Sequence, residues 1–307
     1  DNKWCIKNAR TEIAGVIKTE SGDPVTNVTV GLTNMPNVVT DNSGSYLFNN
    51  LVQGNSYVVT PQKSMNVRNG ITTHDLVLMN KHILGLEVLN SPYKIIAADV
   101  NNDGKVSTSD MIELRKVILG YNDYFPNNDS WRFINQNTIF NDPSKPLLQT
   151  LNGFVNIPSI SGVNIIDFIG IKVGDLSGNA SPSNLQEAQE RNQFESKTLN
   201  LVYANQNNDA VQNVDFETDE NTSGVQFCLD YDYINVEIEN ILPIAAGMNQ
   251  SNFNINNKGK ILVSWNGSMK AKDKKLFSIQ YRLRNGNLNR PTFILNESIL
   301  KSEYIDS

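Results

Sequence analysis

The chain has 307 residues, a mass of 34.2 kDa, a formal charge of −6 and a mean hydropathy of −0.35. That length suits two or three domains with cores that need not rest on metals or disulfides alone. An isoelectric point near 5.1 argues against a nucleic-acid binder, which needs clustered Lys and Arg, and no apolar run approaches the ~18 residues of a membrane span.

Much of the polarity is asparagine, in pairs such as Asn101-Asn102, Asn127-Asn128 and Asn256-Asn257. Asn tolerates left-handed and turn conformations, which suits short loops between strands. The two cysteines, Cys5 and Cys228, are too few for a disulfide scaffold or a four-Cys zinc site. They are free, paired with each other, or paired with a segment outside this chain. The opening Asp1-Asn2-Lys3 is expected of a segment processed or excised from something longer, with residues 1–11 ending a preceding domain or forming a linker.

Residues 12–62 are expected to form a small β-sandwich. Glu12–Lys18 alternates apolar and polar, and Val28–Leu32, Tyr46–Phe48 and Tyr57–Thr60 follow between turn residues such as Asp41-Asn42-Ser43-Gly44. No catalytic grouping falls in this stretch.

Residues 63–176 open on an internal repeat. Asn66, Asp75, Lys81 and Ile83-Leu84-Gly85 recur 35 residues later as Asn101, Asp110, Lys116 and Ile118-Leu119-Gly120. Each copy reads as a polar loop and one amphipathic helix, Thr72–Leu84 and Ser107–Leu119. Gly85 and Gly120 stand where a helix ends in a left-handed residue. Residues 121–176 carry Pro126, Pro143, Pro146 and Pro158 and read as an irregular extension, with short strands around Trp131–Phe133, Phe154–Ile157 and Ile165–Val173. Residues 177–196 read as a linker. Residues 197–307 read as a second sandwich with strands at 199–203, 211–216, 224–230, 236–240, 260–265, 276–283 and 292–295.

The most specific chemical pattern runs from Asp99 to Asp110. Asp99, Asn101, Asp103, Lys105, Ser107 and Asp110 occupy positions 1, 3, 5, 7, 9 and 12 of a calcium-type loop. Ca²⁺ takes six to eight oxygens at about 2.3–2.6 Å, and alternate residues of a tight loop converge on one point. Lys105 would give its carbonyl, Gly104 permits the sharp turn, and Asp110 closes the shell from the next helix. The plainer reading is a solvated Asn/Asp loop that caps a helix. In the first copy Ser64, Asn66 and Arg68 replace Asp99, Asn101 and Asp103, so one calcium site is expected and not two.

His74 and His82 read as helix-surface or packing residues, and Trp131 and Trp265 as packing in preference to a carbohydrate platform. The acidic pairs Asp230/Asp232 and Glu217/Asp219 read as an exposed acidic edge, not a glycosidase dyad, and Lys270–Lys275 as a solvated turn.

Four family resemblances follow from these residues. Gly15-Val16-Ile17, Gly22-Asp23-Pro24-Val25, Val28-Thr29-Val30 and Thr40–Phe48 resemble the carboxypeptidase-regulatory-like, transthyretin-like Ig sandwiches, which implies a rigid spacer. The loop–helix repeat, specific in Ala98–Gly120 and partial in Ser64–Gly85, resembles dockerin type I, which implies paired helices that bind a cohesin. Gly224–Phe227, Leu229–Asp232 and Val263–Asn266 resemble the cohesin-like fold. The strings Leu78–Gly85, Ser91–Val100, Phe125–Phe133 and Ile171–Asp175 resemble the dockerin-containing, type IX-secreted surface proteins of Bacteroidetes.

The fold expected is therefore mainly β and multidomain: an N-terminal Ig/transthyretin-like sandwich, a central dockerin-like repeat pair and a C-terminal cohesin-like sandwich. The expected function is a non-catalytic, calcium-binding structural or adhesion segment, extracellular or at the cell surface. Its expected partner is another protein or a second copy, with a carbohydrate or cell-surface ligand open. The alternative is a docking module that tethers an enzyme or scaffold, any catalytic domain lying outside this chain.

Overall fold

The computed structural model describes residues 10–64, 67–183, 199–203, 211–218, 222–256, 258–269, 274–284 and 290–306. In chain order, the first strands are β1 (Glu12–Lys18), β2 (Thr29–Leu32), β3 (Met35–Val39), β4 (Ser45–Phe48) and β5 (Tyr57–Gln62). Helices α1 (Thr73–Ile83), α2 (Pro92–Ala98) and α3 (Thr108–Ile118) follow, then β6 (Trp131–Asn135), β7 (Val155–Ile157), β8 (Val163–Ile165) and β9 (Phe168–Lys172). The last part holds β10 (Asn200–Tyr203), β11 (Gln212–Glu217), β12 (Thr222–Tyr231), β13 (Val236–Pro243), β14 (Phe253–Asn256), β15 (Lys260–Asn266), β16 (Lys275–Leu283), β17 (Phe293–Leu295) and β18 (Glu303–Asp306). The chain is mainly β with β-sandwich sheets, and its helices lie in the middle of the sequence.

These elements gather into two compact units. The first takes the described residues up to 70, 89–110 and 124–183. One of its sheets runs β4-β1-β9-β6, with β8 also on β1, and the other runs β3-β2-β5-β7. Alternation explains the core: Ile13 and Ile17 of β1, Val30 of β2 and Val59 of β5 point inward and are fully buried. Gly15 has no substitute, because a Cβ there would lie 1.9 Å from the Ile166 carbonyl oxygen. At this crossing between β8 and β9 the Asp167 carboxylate accepts the Val16 N–H at 2.7 Å.

The short strands expected at 131–133, 154–157 and 165–173 are present as β6, β7 and β9, but they belong to the sheets of the first sandwich and not to an irregular extension. Trp131, Phe133, Ile157 and Phe168 pack into the first sandwich core, and β9 pairs in parallel with β1. The prolines flank these strands or sit between them, where no ladder hydrogen bond is lost. Helix α2 went unread in the sequence. Ser91 caps it, Pro92 opens it, and Ile96 and Ala97 bury against Ile134 and Ile171.

The second unit takes 71–88, 111–123 and the described residues from 199 onward, so α1 and most of α3 group with the C-terminal sandwich instead of forming a contiguous 63–176 module. Its sheets run β10-β11-β16-β13 and β14-β15-β12-β17, with β18 also on β12. Phe216 stacks on Phe277 at 4.6 Å, and Trp265, Phe227 and Tyr281 complete the core. Strands β3, β14 and β18 were not expected from the sequence; each is short, and each contains a Pro or is rich in Asn or acidic residues.

Lys63 is a buried cation of the first unit. It is 4% exposed, its ammonium donates to the carbonyls of Thr26 at 2.7 Å and Pro182 at 3.0 Å, and it sits 5.2 Å from the centre of the Trp131 ring. Burial pushes its pKa down to about 8. The unfolded chain holds that proton to about 10.5, so it binds more protons between these values and stability rises with pH across that interval. Denaturation followed by Trp131 fluorescence, with Trp4 and Trp265 replaced by Phe, should show this rise. Lys63→Met should flatten it.

Candidate functional site

The loop from Asp99 to Asp110 is built around two buried carboxylates. Asp99 is 1% exposed and Asp110 is fully buried. Asp99 accepts N–H bonds from Asp103 at 3.0 Å and Gly104 at 3.3 Å, and Asp110 accepts them from Asn101 at 3.0 Å and Ser107 at 2.9 Å. Asn102 and Gly104 take positive φ, 58° and 82°, which turns the chain sharply enough to bring these donors inward. Asn101 and Ser107 are half-buried, and Asp103 and Lys105 are exposed.

Burial pushes the Asp99 carboxyl up; the Arg132 guanidinium opposes this, and the charge of Asp110 adds to it. Arg132 Nη1 stands 3.6 Å from Asp99 Oδ2. The Asn128 side chain donates to the carbonyls of Asp99 at 3.0 Å and Val100 at 3.3 Å. Sequence reasoning assigned no role to Asn128 or Arg132, because nothing in their spacing ties them to the loop.

Among the described residues no three His, Cys, Asp or Glu side chains gather closely enough to hold a metal by themselves. Any cation here would need the Asn101 and Ser107 oxygens and the Lys105 carbonyl as well. That donor set is all oxygen and carries two neighbouring buried carboxylates, which fits a hard cation such as Ca²⁺. The first copy does not fit. The Ser64 hydroxyl is held by Asp129 at 2.6 Å, Arg68 brings a positive charge, and Asn66 lies outside the described residues.

Both copies keep their helix ends. Thr72 N–H donates to Asp75 at 2.8 Å while the Thr72 hydroxyl accepts from His74 N–H, a reciprocal capping box. Ser107 and Asp110 repeat it, with Ser109 N–H on the Ser107 hydroxyl. At the other end Gly85 and Gly120 have φ of 67° and 71°, and Leu86 and Tyr121 donate back to Lys81 and Lys116. Asp75 thus serves in the cap of α1.

The helices meet the second sandwich on one sheet face. Along β12, Val225, Phe227 and Leu229 point into the core, so Gly224, Gln226 and Cys228 point out. On the paired strand β15, Leu262, Ser264 and Asn266 share that outer face. Gln226, Cys228, Leu262 and Ser264 are nevertheless 5% exposed or less. Thr73 at the start of α1 accounts for part of this: its N–H donates to Gln226 Oε1, and its hydroxyl is 2.7 Å from that of Ser264. Past the end of α3, Leu119 packs with Cys228 and Leu262, its carbonyl accepts from Asn254, and the Tyr121 hydroxyl donates to the Phe253 carbonyl. Arg115 bonds to Asn266.

Gly224 is where α1 comes closest; a Cβ there would lie 3.0 Å from Val77 and 2.8 Å from Ile305. A lone Gly inside a strand is the one sequence signal that could have marked this approach. Cys228 is a free thiol among the described residues, and burial pushes it up to about 11. Cys5 lies outside them.

The other candidates have structural roles. Trp131 and Trp265 are buried core residues. Asp230 is bound by Lys260 and Asn296, and Asp232 holds the turn at 234–235. Asp219 and residues 270–273 of the basic turn lie outside the described residues. No described helix is long and apolar enough to cross a membrane.

Residues 66–119 match the family described as Dockerin type I domain. No curated protein matches the chain in sequence. Among solved structures, the complex of Coh-OlpA with Doc918 from Clostridium thermocellum is 13% identical over 36% of this chain and 98% of that one, with a TM-score of 0.26. CaCohA2 from Clostridium acetobutylicum is 13% identical over 30% of this chain and 68% of that one, TM-score 0.26. BcpA, the major pilin subunit of Bacillus cereus, is 10% identical over 97% of this chain and 69% of that one, TM-score 0.26. Overlaps this distant carry no argument about what this chain does.

Asp110→Ala, tested in excess chelator, should lower stability by about 1–3 kcal/mol, because it strands the Asn101 and Ser107 N–H groups. Asp110→Asn keeps an acceptor and should lose less in the same thermal melt.

Proposed function

We propose that this chain is a non-catalytic docking segment of an extracellular protein. Its dockerin-type region, residues 66–119, supplies two helices that seat on a β-sandwich of the cohesin kind, and one Ca²⁺ rigidifies the loop that starts α3. The observation that carries the docking reading is the pair of hydrogen bonds that Thr73 shares with Gln226 and Ser264, on a sheet face that would otherwise stand in water. Gln226 and Ser264 are buried, and buried polar groups without partners are costly.

The calcium reading rests on the oxygen donor set of Asp99, Asn101, Asp103, Lys105, Ser107 and Asp110. The protein's part is to hold these donors: backbone N–H groups fix the two buried carboxylates, and Asn128 and Arg132 brace the loop from outside. Bound Ca²⁺ would offset the crowding of Asp99 and Asp110, and its binding energy would add to the stability of the loop. The two sandwiches and the braced loop support a structural or adhesive role, with tethering of an enzyme or scaffold carried elsewhere as the alternative.

Calorimetric titration should find one Ca²⁺ per chain. Asp99→Ala or Asp103→Ala should weaken it at least tenfold, and two equivalents or none would overturn the single-site reading. Docking is read by hydrogen exchange. Gln226→Ala leaves the Thr73 N–H unpaired, so peptides from α1 and from β12 should lose protection together, by about 5- to 150-fold for a cost of about 1–3 kcal/mol. Independent changes in the two would count against docking.

A further inference from the structure

We infer that the docking face of the dockerin-type helices is closed in cis, by the C-terminal sandwich of the same chain, so that the intact protein presents no free helix face to a second sandwich. The inference rests on the docking reading above and names its occupant. Four observations carry it.

First, both faces of β12 are buried. A sandwich strand of this kind normally alternates between core and water, yet Gln226 and Cys228 on the outer face are as covered as Phe227 and Leu229 on the inner one. Second, the Gln226 amide is matched at both ends within the contact. Gln226 accepts from Thr73 with its oxygen and donates to the Lys301 carbonyl with its nitrogen, so both ends of its amide are in use. Third, the sheet makes room for the helix at Gly224, flanked by Val77 and Thr73 of α1 and by Ile305 of β18. Fourth, the two repeat copies reach separate places on one sheet. α1 sits at β12 and β15, and the end of α3 sits where Leu119 meets Cys228, Leu262 and Leu300. A second sandwich would have to displace all of these contacts at once.

The test uses the full chain with Thr73→Cys and Ser264→Cys introduced in a Cys5→Ser background. The two native hydroxyl oxygens are 2.7 Å apart, so cysteines there should close a bridge on mild oxidation. At about 1 μM, non-reducing electrophoresis should show the bridge within a monomer, and light scattering of the wild-type chain should stay at 34.2 kDa up to about 100 μM. Bridges that form only between chains, with a mass that grows with concentration, would overturn closure in cis and leave docking intact. No bridge in either form would overturn both.

As a second measurement, a protease site placed within residues 184–198 of the wild-type chain allows it to be cut after folding. The two pieces should elute together, and Gly224→Leu should release them. Pieces that part from the wild-type background, yet bind when one is added in excess, would again overturn closure alone.

Discussion

A β-sheet has two faces, and each must be wetted or covered. In the second unit the sheet β14-β15-β12-β17 has its inner face on an aromatic core, and the outer face of β12 and β15 from Gly224 to Cys228 lies under α1 and the end of α3. Much else follows from that cover. It explains why a strand carries Gly224, Gln226 and Cys228 where charged residues would serve solvent better. It also explains why α1 begins on Thr73, whose backbone and side chain both reach the sheet. Apolar cover from Leu119 and Leu262 supplies the non-directional part of the contact, while the threonine and glutamine fix the position.

The repeat divides its work. Both copies keep the device that starts a helix, a hydroxyl and a carboxylate three residues apart, and both keep the glycine that ends it. Only the second keeps the loop positions suited to a hard cation. Helix formation and cation binding are thus separate properties of one motif. The first copy retains what the sheet contact needs, and the second adds a loop braced by Asn128 and Arg132.

The local parts of this arrangement were legible in the sequence. The helix boundaries followed from capping residues and terminal glycines, and the long strands of both sandwiches followed from alternation, since period and punctuation are local properties. The partners were not legible. Strands β6 to β9 lie about 70 residues or more beyond β5 and join β1 and β5 through pairings that no local pattern encodes. Helix α2 spans 7 residues, too brief for a periodic signal. Gln226 and Ser264 fall on the outward positions of the strand alternation, and only the tertiary contact gives them a role. Arg132 read as part of a strand because its charge meets Asp99 across 33 positions of chain.

The burial of Cys228 has a kinetic meaning. Its thiol lies under Leu119, beside Leu262 and Leu300, and burial holds it protonated well past neutral pH. A thiol so placed reacts with an alkylating reagent only in the moments when the helix end lifts and the sulfur meets water as thiolate. With Cys5 replaced, the rate of labelling becomes a clock for that opening, read from inside the contact without any added probe. The same sulfur that helps fill the interface thus records how often the interface comes apart.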